Sequence, residues 1–143
     1  MNSIIATALS GLDAARKRLE VSAANVANVD SEGALPDDSG TSGTPEPFTP
    51  LTVSQQPLVT AGTVATTQPV EPAQSRRYAP NASYARSDGL VASPNVDLVG
   101  EGINQLTASR AYKANAQVLR VGLDLEREAI DTLGSRPRVN LRA

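Results

Sequence analysis

Residues 93–115 read SPNVDLVGEGINQLTASRAYKAN, and this stretch decides the fold. Pro94-Asn95 reads as a turn that closes an extended segment. Asp97 follows as an N-cap, able to accept a free backbone N–H of a first helical turn. No proline occurs from there until Pro137, so a helix runs to about Leu133, with Leu133-Gly134 as its stop. Ile103, Leu106, Ala111, Ala114, Val118, Val121 and Leu125 form its apolar stripe, and Ala111, Val118 and Leu125 repeat by seven. Gly100 and Gly102 each cost about 1 kcal/mol against alanine, so the helix start is loose or lies near Ile103.

The same proline argument places a second helix at the other end. Of the 10 prolines none falls in residues 1–35, nine fall between Pro36 and Pro94, and the last is Pro137. Long helices are therefore permitted only near the two ends. In the first zone, residues 1–30, Ile5, Leu12, Leu19 and Val26 repeat every seven residues. Ala8, Ala15 and Ser22 sit three places after the first three of these, a seam of small residues, and Leu9 widens the stripe. Asn2 or Ser3 serves as cap, and Asp13 and Lys17 form an i,i+4 pair. Asn28, Asp30 and Ser31 fit the end, since Asn tolerates the left-handed conformation that closes a helix. Such a helix is about 37 Å long.

Residues 31–94 differ. SEGALPDDSGTSGTPEP, residues 31–47, reads as a flexible loop, in which Asp37-Asp38 is a solvated charge pair. Between Glu46 and Glu71 there is no charged residue. Leu51–Val53, Leu58–Thr60 and Thr63–Thr66 carry β-branched residues between Pro and Gly breaks and suggest short strands or extended segments. Arg76-Arg77-Tyr78 and Gly89-Leu90-Val91 are further extended pieces. The expected fold is mainly α, with N- and C-terminal helices (the latter within 95–134) paired as a coiled-coil-like axial unit. The middle is extended, partly β or disordered, and projects outward. Residues 135–143, with Arg136, Arg138 and Arg142, make a flexible basic tail.

Composition narrows the function. The 143 residues include one Phe, three Tyr and no Trp, too few large side chains for a thick core. Burial must then come from partners. A net charge of −2 gives no electrostatic case for nucleic acid. No stretch approaches the roughly 20 apolar residues of a membrane span, so direct membrane insertion is not expected. Cys and His are both absent, which removes thiolate metal sites, the Ser-His-acid triad and the commonest metal ligand. No phosphate loop or EF-hand spacing occurs. Catalytic, cofactor and metal sites are not expected, and the chain is not expected to be an enzyme. The basic cluster Arg16-Lys17-Arg18 follows the apolar N-terminal part, the reverse of a secretory signal.

Two strings stand at matched ends of the chain. Ser22-Ala23-Ala24-Asn25-Val26-Ala27-Asn28-Val29-Asp30 contains Ala-Asn-x-x-Asn, and Ser109-Arg110-Ala111-Tyr112-Lys113-Ala114-Asn115 lies on the C-terminal helix. Together they resemble the paired signature of the flagellar basal-body rod and hook family of axial proteins. Asp88–Asp97, with Gly89-Leu90-Val91 and Pro94-Asn95-Val96, is similar to that family's proximal rod type. The chain departs from the pattern in places. Tyr78-Ala79-Pro80 lacks the usual acid, no His-Pro follows it, and Glu101 is followed by Gly102 rather than Met.

The resemblance implies a structural subunit of the proximal rod. It implies passage without a cleaved signal peptide through the flagellar type III export apparatus, incompletely folded, and assembly in the periplasm into a helical tube that transmits torque. Partners are copies of itself and other rod proteins. Terminal helices would form the inner tube wall, and the middle would bridge to neighbours. The expected assembly interface takes Ile5, Leu9, Leu12, Leu19, Asn25, Val26 and Asn28 from the first helix. From the second it takes Leu106, Arg110, Ala111, Tyr112, Ala114, Asn115, Val118, Val121 and Leu125. Two alternatives remain open at this point: another flagellar axial protein, or a small coiled-coil adaptor or export-chaperone-like binding module. A compact monomer with a sharp thermal transition would favour the adaptor.

Overall fold

A computed structural model describes residues 2–35 and 45–134. The expected loop pair Asp37-Asp38 and the arginines of the C-terminal tail lie outside these residues. Six elements follow in chain order: α1 (Asn2–Ala27), β1 (Leu51–Pro57), β2 (Thr63–Pro69), β3 (Gln74–Tyr78), β4 (Leu90–Pro94) and α2 (Leu98–Gly134). Two long helices thus flank a middle of short antiparallel strands, in the places that the proline map allows.

The helix ends show how local chemistry sets their limits. Asp97 Oδ1 accepts from Val99 N at 3.0 Å, and Glu101 N donates to Asp97 O at 2.8 Å. This cap holds α2 from Leu98, so Gly100 and Gly102 lie inside the helix and its start is not delayed to Ile103. Gly100 has a local reason: a Cβ there would stand 2.7 Å from Asp97 Oδ2, inside the cap. α1 begins at Asn2, with Ser3 already within it and its carbonyl accepting from Thr7 Oγ1 at 2.7 Å. The end of α1 is closed without a left-handed residue, because no described residue except glycine has positive φ. Asn28 instead donates its side-chain amide to Ala24 O at 2.9 Å. Asp13 pairs with Arg16 at 2.7 Å rather than with Lys17, and Arg16 also reaches Glu20.

α1 and α2 lie side by side and run in opposite directions. Asn25 meets Glu101, Gly11 meets Asn115, and Ile5 and Ile4 meet Gly122. Ala8, Ala15 and Ser22 are buried, and Ile5, Leu12, Leu19 and Val26 are half-buried. On α2 the inward positions are Gln105, Ala108, Asn115, Leu119, Gly122 and Glu126, of which Ala108 and Gly122 are fully buried. The sequence stripe through Ala111, Val118 and Leu125 stands three residues on from Ala108, Asn115 and Gly122, about 60° around the helix, so Ala111 is half-buried while Val118 and Leu125 are exposed. Small residues win the inner face because they let the backbones approach. A Cβ on Gly11 would stand 2.5 Å from Asn115 Oδ1, and one on Gly122 would stand 3.3 Å from Ile5 Cγ1. α2, at 37 residues against 26, runs on past the start of α1.

The middle does not simply project. β1 and β2 pair antiparallel from Leu51↔Pro69 to Pro57↔Thr63, and the hairpin lies against α1. Leu58–Thr60, expected as a strand or extended segment, belongs to the connecting loop, which Gly62 closes with φ +93°. β3 and β4 form a second antiparallel pair, Gln74↔Pro94 to Tyr78↔Leu90. Pro94 is therefore the last residue of a strand, and Asn95 is held by Ala73 O and Pro72 O, each at 2.9 Å. Part of the expected loop is also tied down. Gly33 N and Ala92 O, and Ala92 N and Gly33 O, exchange hydrogen bonds of 2.9 Å. Arg77 Nη1 stands 2.6 Å from Glu32 Oε1 and 3.8 Å from Asp30 Oδ1. The Glu32 contact is an ion pair without the alignment of a hydrogen bond.

The core is thin. Its buried apolar residues are Ala8, Ala14, Ala15, Val21, Val91, Ala92 and Ala108, five of them alanine. At about 25 cal/mol per Å² of apolar area, side chains this small contribute little burial per residue. Close helix approach and polar ties must supply the rest.

Candidate assembly surface

The residues expected at an interface divide into two groups. One group faces inward. Asn25 is 1% exposed, Asn115, Ala111 and Asn28 are half-buried, and so are Ile5, Leu12, Leu19 and Val26. The other group is exposed: Leu9 on α1, and Leu106, Arg110, Tyr112, Ala114, Val118, Val121 and Leu125 on α2.

The inward group is organised around Asn25. Its Oδ1 accepts from Leu51 N at 3.0 Å, and its Nδ2 donates to Leu51 O at 2.8 Å and to Glu101 Oε1 at 2.6 Å. The amide thus imitates a neighbouring β-strand, satisfying both backbone groups of the first β1 residue. Ser22 Oγ donates to Glu101 O at 3.1 Å from the preceding turn of α1. The end of α1, the start of β1 and the first turn of α2 meet at this hub. Burial is tolerable for these polar groups because each has a partner. At the other end of the hairpin, Ser10 Oγ accepts from Thr63 N at 3.1 Å and itself donates to Thr7 O at 2.8 Å. Sequence reasoning missed Glu101 and Ser10, and it placed Ser22 in the seam without its hydrogen bond. Their roles are long-range polar contacts, which leave no periodic signal.

Apart from Leu9 on α1 and Tyr112, the outward group lies on one side of α2. Val99, Ile103, Leu106, Arg110, Ala114, Val118, Val121 and Leu125 recur at steps of three or four, the spacing of one helix face. All eight are exposed, with Val99 at 74%, Ile103 at 61% and Val121 at 58%. This row of apolar residues, interrupted by Arg110, exceeds the single scattered exposures of ordinary surfaces. Val99 was not recognised as part of it, because it precedes the two glycines. The inner face of α2 holds Ala108, Asn115 and Gly122 with Leu119 as its larger apolar residue, while the outer face holds Val99, Ile103, Leu106, Val121 and Leu125. No described helix is long and apolar enough to cross a membrane.

Between the hairpin and α2, above α1, runs a groove of about 380 Å³ lined by Ser10, Gly11, Gln55, Thr63, Ala108 and Asn115 among others. A smaller space of about 210 Å³ lies by Arg18, Val53, Glu101 and Asn104. These openings separate β1 from α2 beyond the Asn25 hub.

Comparison with known proteins agrees with both ends of this arrangement. The Flagella basal body rod protein model matches residues 5–34, which cover most of α1 and its closing turn. The Flagellar basal body rod FlgEFG protein C-terminal model matches residues 87–132, which cover β4 and nearly all of α2. The flagellar basal-body rod protein FlgC of Yersinia enterocolitica is 37% identical over 129 residues, covering 87% of this chain and 91% of that protein. The FlgC proteins of Salmonella typhimurium and Escherichia coli are 37% and 36% identical over 114 residues, 77% of this chain and 81% of theirs. With that coverage at both ends and across the strands, the chain belongs to the FlgC family of flagellar basal-body rod proteins.

Proposed function

We propose that this chain is a structural subunit of the proximal rod, in which α1 and α2 form a coiled-coil-like axial unit and the outer face of α2 packs against neighbouring subunits. The exposed apolar row from Val99 to Leu125 carries the reading, because a chain with so thin a core leaves its larger apolar side chains outside. Copies of the chain and other rod proteins cover that row in a helical tube crossing the periplasm, and the tube transmits torque. The half-buried residues Ile5, Leu12, Leu19 and Val26 support the axial unit from within, and Leu9, Arg110, Tyr112 and Ala114 reach neighbours. The chain passes through the flagellar type III export apparatus without a cleaved signal peptide. Its work is mechanical: packed helices resist twist, and no reaction is required of it.

The test is the double variant Val118→Asp, Val121→Asp in a strain lacking its own copy of the gene. Swimming and rod incorporation are lost, while export of the variant continues. Wild-type swimming by this variant would remove the outer face of α2 from the assembly surface.

A further inference from the structure

The β1–β2 hairpin has two unused backbone edges. Val70 N donates to Pro50 O at 2.9 Å and Leu58 N to Gly62 O at 3.0 Å, so the even positions of both strands bond across the hairpin. The odd positions then turn their N–H and C=O groups outward. Asn25 takes both groups of Leu51, and Ser10 Oγ takes the N–H of Thr63. The outward groups of Val53 and Gln55 on β1, and of Ala65 and Thr67 on β2, have no partner among the described residues. The ends of both strands are fixed by Pro57 and Pro69, which cannot donate.

Free strand edges in soluble proteins are usually guarded by charge, most often Lys, or covered. Here Pro57 and Pro69 guard only the strand ends, and among the described residues neither charge on the strands nor a covering element guards the stretch between. The sequence holds no charged residue between Glu46 and Glu71, and α2 is held off β1 by the groove beside Gln55 and Val53. A bare edge has only one kind of complement: another strand, equally uncharged, with the same spacing of backbone groups.

We infer that the β2 edge of one chain pairs with the β1 edge of a second copy, joining neighbouring hairpins into a continuing antiparallel sheet. The occupant is argued from the hairpin itself. Both edges are uncharged, each strand is seven residues long, and the edge needed and the edge offered lie on opposite sides of the same hairpin. Satisfying one leaves the other open on the next copy, so the contact does not close on itself and extends an open polymer. This surface is separate from the apolar face of α2. The inference deepens the rod reading and rests on it for its setting, though the edge chemistry stands apart.

The experiment uses the full chain with Thr66→Lys and Gln68→Lys, two exposed positions on the face of β2 turned away from α1, whose charges would oppose any strand laid on β2. Sedimentation of the purified protein at rising concentration reads self-association directly. The lysine variant is expected to associate about tenfold more weakly than the wild type, with an unchanged circular dichroism spectrum. Because the chain contains no cysteine, a second measurement mixes a Val53→Cys chain with an Ala65→Cys chain. Under mild oxidation the mixed dimer is expected to exceed both self-dimers. Equal association by the lysine variant, or no excess of the mixed dimer, overturns the edge pairing. Swimming separates the two claims. If the wild-type gene restores motility to a strain lacking it and the lysine variant does so equally, the edge pairing falls and the rod reading stands. If the wild-type gene itself fails to restore motility, the rod reading falls, and sedimentation still judges the edge.

Discussion

The two faces of α2 are built from opposite materials. The inner face offers Ala108, Asn115 and Gly122 to α1, and the outer face offers Val99, Ile103, Leu106, Val121 and Leu125 to solvent. In an isolated globular protein the larger apolar side chains would be inside. Here the inner contact depends on close approach and hydrogen bonds, and the apolar area is held in reserve. The lesson is a division along one helix: the inner face fixes the shape of the subunit, and the outer face leaves its apolar side chains to solvent.

That division is broken most severely at the hub. Asn25→Ala leaves both backbone groups of Leu51 and Glu101 Oε1 without their partner, a cost of about 2–4 kcal/mol. Urea unfolding of the purified chain reads it. A midpoint unchanged from wild type would show that the hub contributes no stability. Gly122→Leu drives a branched side chain into Ile5 and is expected to cost about 1–3 kcal/mol by forcing α1 and α2 apart. If its thermal transition matches the wild type, the close approach is not a stability element.

The outer face should respond in the reverse manner. Val121→Asp alters an exposed side chain, so the isolated chain keeps its stability within about 0.5 kcal/mol while assembly suffers. A large loss of monomer stability from this variant would mean that the two faces are not separate. The smallest effect is expected at the turn before β4. There the Arg86 guanidinium, donating to Asp88, holds the Asp88 carboxyl below its ordinary value of 3.8. A depressed carboxylate stabilises the fold above its unfolded value and loses that contribution as pH falls through the folded one. Asp88→Asn should therefore flatten the acid limb of the stability curve slightly, below pH 4 or so. An identical acid limb in both proteins would show that this pair is fully screened by solvent.

The sequence revealed this architecture unevenly, for physical reasons. Proline placement located both helices, because the missing N–H and the ring clash are local facts. The α1 positions Ala8, Ala15 and Ser22 could be read from their spacing by seven. The inner face of α2 could be read only in part, since pattern reading equates apolar with buried and so chose Val118 and Leu125, beside the half-buried Ala111, over Ala108, Asn115 and Gly122. The strands at Leu51, Thr63, Arg76 and Leu90 were legible from β-branched runs and breaks. Their docking was not, because it depends on Ser10 and Asn25 reaching residues 53 and 26 positions away. The asparagine of the Ala-Asn-x-x-Asn string was legible as a motif, but only the geometry shows that Asn25 is spent within its own chain.

The hub also bears on when the chain becomes complete. Ser22 and Asn25 reach Glu101 across 79 and 76 residues of sequence. Contacts of that span form late, since the intervening chain must first surrender its freedom. A chain lacking its last third has nothing to lay over Ala8, Ala15 and Ser22, and nothing to hold Ser22 in place. The two ends therefore act as the halves of a latch, and a truncated or half-delivered copy is left unfastened.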